Sequence, residues 1–212
     1  MTLAQITATI SVAGVTVDSV TQRTAAGLIG QAPTLAAGLA GALTTRTDAD
    51  TGIITMTDAE HGITDADTVD VFWDGGVRYG LTVTLVEGAA VSIDVGDGDA
   101  LPEGTTPAVV VGVRQEIDVD FDGDLVELIA AHCPRRAHVE FLTNADVSLK
   151  AQELTAGEAW SFVADTGFAN PLTGDPVGKI QVSCGETTGG LQPAGDLRLR
   201  VRNDEIQMKN DE

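Results

Sequence analysis

Aromatic residues are few: two Trp, one Tyr and five Phe among 212 residues. Basic residues are outnumbered, with 12 Lys and Arg against 32 Asp and Glu and a net charge of −20. Such a field repels nucleic-acid phosphate, so free DNA or RNA is not an expected partner. Cysteine is limited to Cys133 and Cys184, too few for a disulfide framework. Both lie in or beside apolar strand patterns. Buried free thiols are the expectation, with one long-range disulfide as the alternative. No run reaches the ~20 apolar residues of a membrane-crossing helix, and no membrane partner is expected. The N-terminus lacks the basic and apolar regions of a secretory signal. It reads as a complete cytosolic product, able to work elsewhere once released by lysis.

What is present favours strands and turns. Apolar residues make up 43% of the chain, and there are 24 glycines besides. Ala, Val and Thr dominate the rest, while Gly and Asp punctuate. A chain of this length buries enough surface to fold without metal or disulfide. Residues 6–18 alternate apolar and polar as one strand. Residues 24–43 are rich in Ala, Gly and Leu, but their glycines and Pro33 oppose a regular helix. They read as a loosely patterned hairpin or a docking arm.

Clear strand–turn–strand signals follow from Thr44, with Asp48 to Gly52 as the first turn. Asp67 to Trp73 and Val77 to Val86 alternate on either side of Asp74-Gly75-Gly76, a strong hairpin signal. Further strands are read at 91–95, 108–113, 115–121, 137–142, 147–151, 159–163, 178–184 and 197–201. Leu125 to Ala131 reads as a strand or one short helix. On the last strand Arg198, Arg200 and Arg202 share a face. Turns every eight to twelve residues predict an all-β protein of β-sandwich or β-barrel modules, with Gly/Asp-rich turns and little helix. The proposed division is an N-terminal β-module over 1–113 with a possible arm at 22–43, a C-terminal sandwich over 114–203 and a polar tail over 204–212. One continuous β domain is the alternative.

Several constellations invite a chemical reading. Asp118, Asp120, Asp122 and Asp124 with Gly123 resemble the opening of an EF-hand loop, but the twelfth position is Ile129 where a bidentate Glu is needed. Solvent-facing aspartates entering a turn explain the run better. Asp94, Asp97 and Asp99 form a second acidic loop, the expected accident in so acidic a chain. His132, Cys133, His138 and Cys184 lack the close-spaced ligand pairs of a zinc site. His61 reads as a turn residue. No nucleophile elbow and no phosphate-binding glycine loop occurs, and no carboxylate pair stands out for glycoside hydrolysis. Trp73 and Tyr79, flanking the 75–76 turn, are candidates to stack on a sugar, although core anchoring is commoner for such aromatics. Trp160 and Phe162 read as core. No catalytic, cofactor-binding or metal-ligating residue is assigned, and no cofactor is expected.

The run from Thr44 to Pro102 contains TRTDADTG, HGITDADTVDVFWDGGVRYG and VSIDVGDGDALP. It resembles structural proteins of tailed bacteriophages. That resemblance implies a non-enzymatic virion component: a capsid decoration or head accessory protein, or a tail component. It transfers no functional residue. The implied partners are other virion proteins, the major capsid protein or tail subunits, together with further copies of the chain in a symmetric lattice. The implied location is the virion, assembled in the host cytoplasm. A carbohydrate-binding adhesive module using Trp73 and Tyr79 is the rival reading.

Overall fold

A computed structural model describes residues 4–12, 15–24, 28–31, 35–118, 126–133, 135–157, 159–163, 172, 177–187 and 198–203. Every regular element among them is a strand, so the chain is all-β. The first two, β1 (Ala4–Val12) and β2 (Val15–Thr24), pair antiparallel as a two-stranded sheet. Residues 6–18 are therefore not one strand. Val12 pairs with Val15, so the chain reverses between them. The short β3 (Leu28–Gln31) follows.

Six strands then close into an antiparallel barrel: β4 (Leu39–Arg46), β5 (Gly52–Met56), β6 (Thr68–Trp73), β7 (Gly76–Glu87), β8 (Ala90–Gly98) and β9 (Ala108–Val113). The order around the barrel is β4-β5-β8-β7-β6-β9, and β9 returns to pair with β4. Alternation decides what fills it. In β5, Gly52, Ile54 and Met56 point in, while Ile53 and Thr55 point out. Val69, Val71, Leu81, Ile93 and Val111 meet Ile54 in one core cluster. Small aliphatic side chains suit a barrel this narrow, which accounts for the scarcity of aromatics. Asp74 and Gly75 join β6 to β7, and Gly75 takes φ +106°, a conformation that favours glycine.

Among the described residues, the remaining strands form two four-stranded sheets. One contains β10 (Gln115–Asp118), β12 (Ala137–Leu142), β13 (Ser148–Leu154) and β15 (Lys179–Cys184) in the order β10-β15-β12-β13. The other contains β11 (Val126–His132), β14 (Ala159–Val163) and β16 (Arg198–Asn203) with β3, in the order β14-β11-β16-β3. Residues 126–132 are thus strand and not helix. Phe141 of the first sheet meets Trp160 of the second at 5.9 Å between ring centroids, inside a core that includes Val139, Leu154 and Ile180. Cys133 and Cys184 are both buried there as free thiols. Phe162 lies on β14, but its side chain is outside the described residues, as are those of His132 and of the three arginines on β16.

Residues 22–43, read as a possible arm, are divided among three elements. Residues 22–24 end β2, and β3 pairs with β16, so an early segment completes a sheet built from the end of the chain. Leu35 enters the sandwich core, and β4 opens the barrel. The linker between them is pinned: Ala36 N donates to Gln115 Oε1 at 2.8 Å and Gly38 N to the Glu186 carbonyl at 3.0 Å. Leu35, Leu39 and Leu43 in this stretch supplied apolar surface that packing captured.

Candidate functional site

The site begins with a strand that has no wet face. In β12, Ala137, Val139 and Phe141 turn into the sandwich core, which sends His138 and Glu140 to the opposite side. That side of a sheet ordinarily meets water. Here it meets the barrel, and all six residues of β12 are buried. In β6, likewise, Val69 and Val71 point into the barrel. Asp70 and Phe72 point outward, yet both are buried, because the second unit covers them. Two glycines allow that approach. A Cβ on Gly112 of β9 would lie 2.6 Å from the Cys184 carbonyl, and one on Gly185 would lie 2.6 Å from the Phe72 ring.

Asp70 is the centre of the junction and is fully buried. Its Oδ1 accepts from Gly80 N at 2.7 Å and from Arg114 Nε at 2.8 Å. Its Oδ2 accepts from the Ser183 hydroxyl and pairs with His138 Nδ1 at 3.1 Å. An ionised carboxylate only accepts, so the Nδ1 proton sits on this side of the imidazole. Arg114 lies in the step between β9 and β10. It extends the network by donating from Nη1 to Glu140 Oε2 and to Gln181 Oε1, the latter at 2.9 Å. Tyr79 stacks on His138 with ring centroids 4.5 Å apart and planes 21° from parallel.

The electrostatics follow from this packing. Burial alone would raise the Asp70 carboxyl, but the hydrogen bond and attraction of His138, the Arg114 guanidinium and the Ser183 hydroxyl outweigh it and hold it down at about 2. For Arg114, burial acts to lower the pKa, while Asp70 and Glu140 hold it above its ordinary value. Burial raises the Tyr79 phenol, helped by Asp97 and Glu140.

Arg136 makes a second fastening. Its Nη1 and Nη2 donate to the carbonyls of Trp73 and Gly76, at 2.7 and 2.9 Å, on either side of the β6–β7 turn. Its Nε bonds Glu153, and the guanidinium lies 5.3 Å from the centre of the Phe72 ring. A planar fork with several donors suits this task, which a lysine would not perform.

Ser, His and Asp together bring acyl transfer to mind, but the connections differ. In a nucleophilic relay Ser donates to His and His to Asp. Here Ser183 and His138 converge on the same Asp70 oxygen, and both face a barrel wall. The arrangement orients and holds; it does not activate a hydroxyl.

The residues singled out in the sequence are placed as follows. His138 and Cys184 lie on paired strands but on opposite faces, His138 toward Asp70 and Cys184 in the sandwich core. Asp94 Oδ1 accepts from Thr51 Oγ1 and Val95 N, Asp97 from Gly98 N, and Asp99 from Val77 N, so Asp97 bonds its own neighbour while Asp94 ties to the turn before β5 and Asp99 to β7. No set of three His, Cys, Asp or Glu residues stands ready for a metal among the described residues. His61 accepts from Ile63 N at Nδ1 and reaches the Gly88 carbonyl with Nε2, a turn brace. The acidic run 118–124 lies outside the described residues beyond Asp118. Trp73 is half-buried and lines a shallow groove of about 320 Å³ with Phe72, Asp74 and Arg136, which Tyr79 does not line.

Sequence reasoning missed Asp70, Arg114, Glu140 and Ser183 as a set. Asp70, Glu140 and Ser183 occupied positions inside strand patterns, and Arg114 fell in the junction between two strands. The available signal was weak: a carboxylate within the apolar strand TVDVFW and His and Glu on one face of AHVEFL. Comparison with known proteins gives no family model, no curated protein and no solved structure that matches this chain.

Proposed function

We propose that this chain is a non-enzymatic structural component of a phage virion, a capsid decoration or head accessory protein that packs on a symmetric lattice. One observation carries the reading from geometry: the buried titratable groups join two β-units. Asp70, Arg114, His138 and Ser183 face one another across the junction and so make one stiff block of a barrel and a sandwich. A rigid two-unit block with an acidic exterior suits repeated lateral packing and exclusion from nucleic acid. The likeness to tailed-phage structural proteins over 44–102 falls within the barrel, where Asp70 lies.

The test is the composition of purified particles from a host carrying the gene. The chain is expected in stoichiometric copy number, on heads separated from tails. Recovery with isolated tails instead moves it to the tail component reading. Absence from all particles sinks the virion proposal.

A second reading has one observation in its favour, the half-buried Trp73 in the groove beside Asp74 and Arg136. An adhesive module would bind glycans there, and Trp73→Ala would abolish the binding seen on a glycan array.

A further inference from the structure

Charge is not spread evenly along this chain. Residues 1–44 hold one acid, Asp18, and one base, Arg23, so residues 45–212 carry the whole net charge of −20. The hairpin β1–β2 lies inside the neutral segment, with register running from Ala4↔Thr24 to Val12↔Val15. Its strands are nine and ten residues long, yet they form a sheet of only two. β3 and β4, also begun in the neutral segment, join the sandwich and the barrel. A lone two-stranded hairpin is marginal in water, and three or more strands are needed for independent stability. Each of its strands keeps an outer row of backbone donors and acceptors that no other strand takes up among the described residues.

We propose that this hairpin is the self-association element of the protein. Hairpins from separate copies join edge to edge through their backbones into an intermolecular sheet of four or more strands. This deepens the virion reading and rests on it for the purpose of the contact. Charge selects the occupant. Two copies repel one another through residues 45–212, and the neutral hairpin is the part they can bring together without that cost. A basic partner would be drawn to the acidic remainder instead. The closed barrel presents no edge to receive a strand.

Proline is the probe, because it removes a ladder donor. Successive strand residues direct their N–H groups to opposite edges, so Thr7→Pro and Ala8→Pro sample both edges of β1. Val20→Pro and Thr21→Pro do so for β2. Light scattering on the full chain should give an integral multiple of the monomer mass, rising with salt as repulsion is screened. At least one variant of each pair should fall to the monomer while the thermal transition of the barrel and sandwich stays in place. A wild-type monomer at every concentration and salt overturns the proposal. So does an oligomer that survives all four substitutions, which would shift the contact to a sandwich edge. Flotation of a monomer with neutral phosphatidylcholine vesicles overturns it as well, by making the hairpin a membrane element. A chain present in particles but monomeric in solution overturns the hairpin inference and leaves the virion reading standing.

Discussion

At Asp70 a single carboxylate accepts hydrogen bonds from groups on β7, β12, β15 and the Arg114 step. Asp70→Asn would keep the shape, remove the charge that Arg114 faces and point an amide donor at other donors. Removing one partner of a buried ion pair typically costs about 3–5 kcal/mol. A lower urea midpoint with unchanged slope is the expected result. The pH dependence has a definite sign. The folded carboxyl titrates at about 2 against 3.8 for an ordinary Asp. The unfolded chain therefore takes up this proton first as the solution is acidified. The stabilisation is fully present above that ordinary value and is lost as pH falls through about 2, a loss on the order of 2 kcal/mol. Urea midpoints followed over that acid range should fall in the wild type, and the Asp70→Asn profile should be flatter by that amount.

Strands β6 and β12 are dry on both faces along most of their length, one face in their own core and one in the junction, and β9 and β15 meet the junction through Gly112 and Ser183. Gly112 shows how close the junction is: a Cβ there would lie 2.6 Å from a backbone oxygen of the other unit. Gly112→Ala must part β9 from β15, and overpacking of this kind costs about 1–3 kcal/mol or more. The amides of Gly80 and Gly185, which bond Asp70 and the Arg136 carbonyl, should then exchange faster with deuterium than in the wild type. The same elements explain what could be read in advance. Alternation and Gly/Asp turns revealed β5 to β9 to within a residue or two at most ends, because those signals are local. Ile6 to Asp18 was misread because the reversal between Val12 and Val15 does not break the alternation. AHVEFL and TVDVFW were read as strands and nothing more, because period-2 alternation identifies two faces but not what covers the polar one. That cover comes from a strand about seventy residues away, and no local pattern encodes it. The candidate site, made entirely of such faces, was the least legible part of the molecule.

Taken whole, the barrel and the sandwich share Asp70, Arg114 and Arg136, with a backbone hydrogen bond from Gly38 to Glu186 and close approaches at Gly112 and Gly185. Two units so joined should unfold together. Calorimetry is expected to give one transition, with calorimetric and van't Hoff enthalpies equal. Arg114→Met leaves Asp70 and Glu140 as buried carboxylates without their guanidinium. That change should separate the transition into two, and a single sharp peak in the variant would show that the other contacts couple the units unaided. A different consequence follows from β3, whose Gly30 pairs with Arg200. During synthesis the barrel strands leave the ribosome early and can close as soon as Val113 is free. From that point the sheet that needs β3 must wait for about 90 further residues, roughly five to twenty seconds at about 5–20 residues per second. For that interval the nascent chain carries a finished barrel beside an unfinished sandwich, with β3 held in reserve for β16.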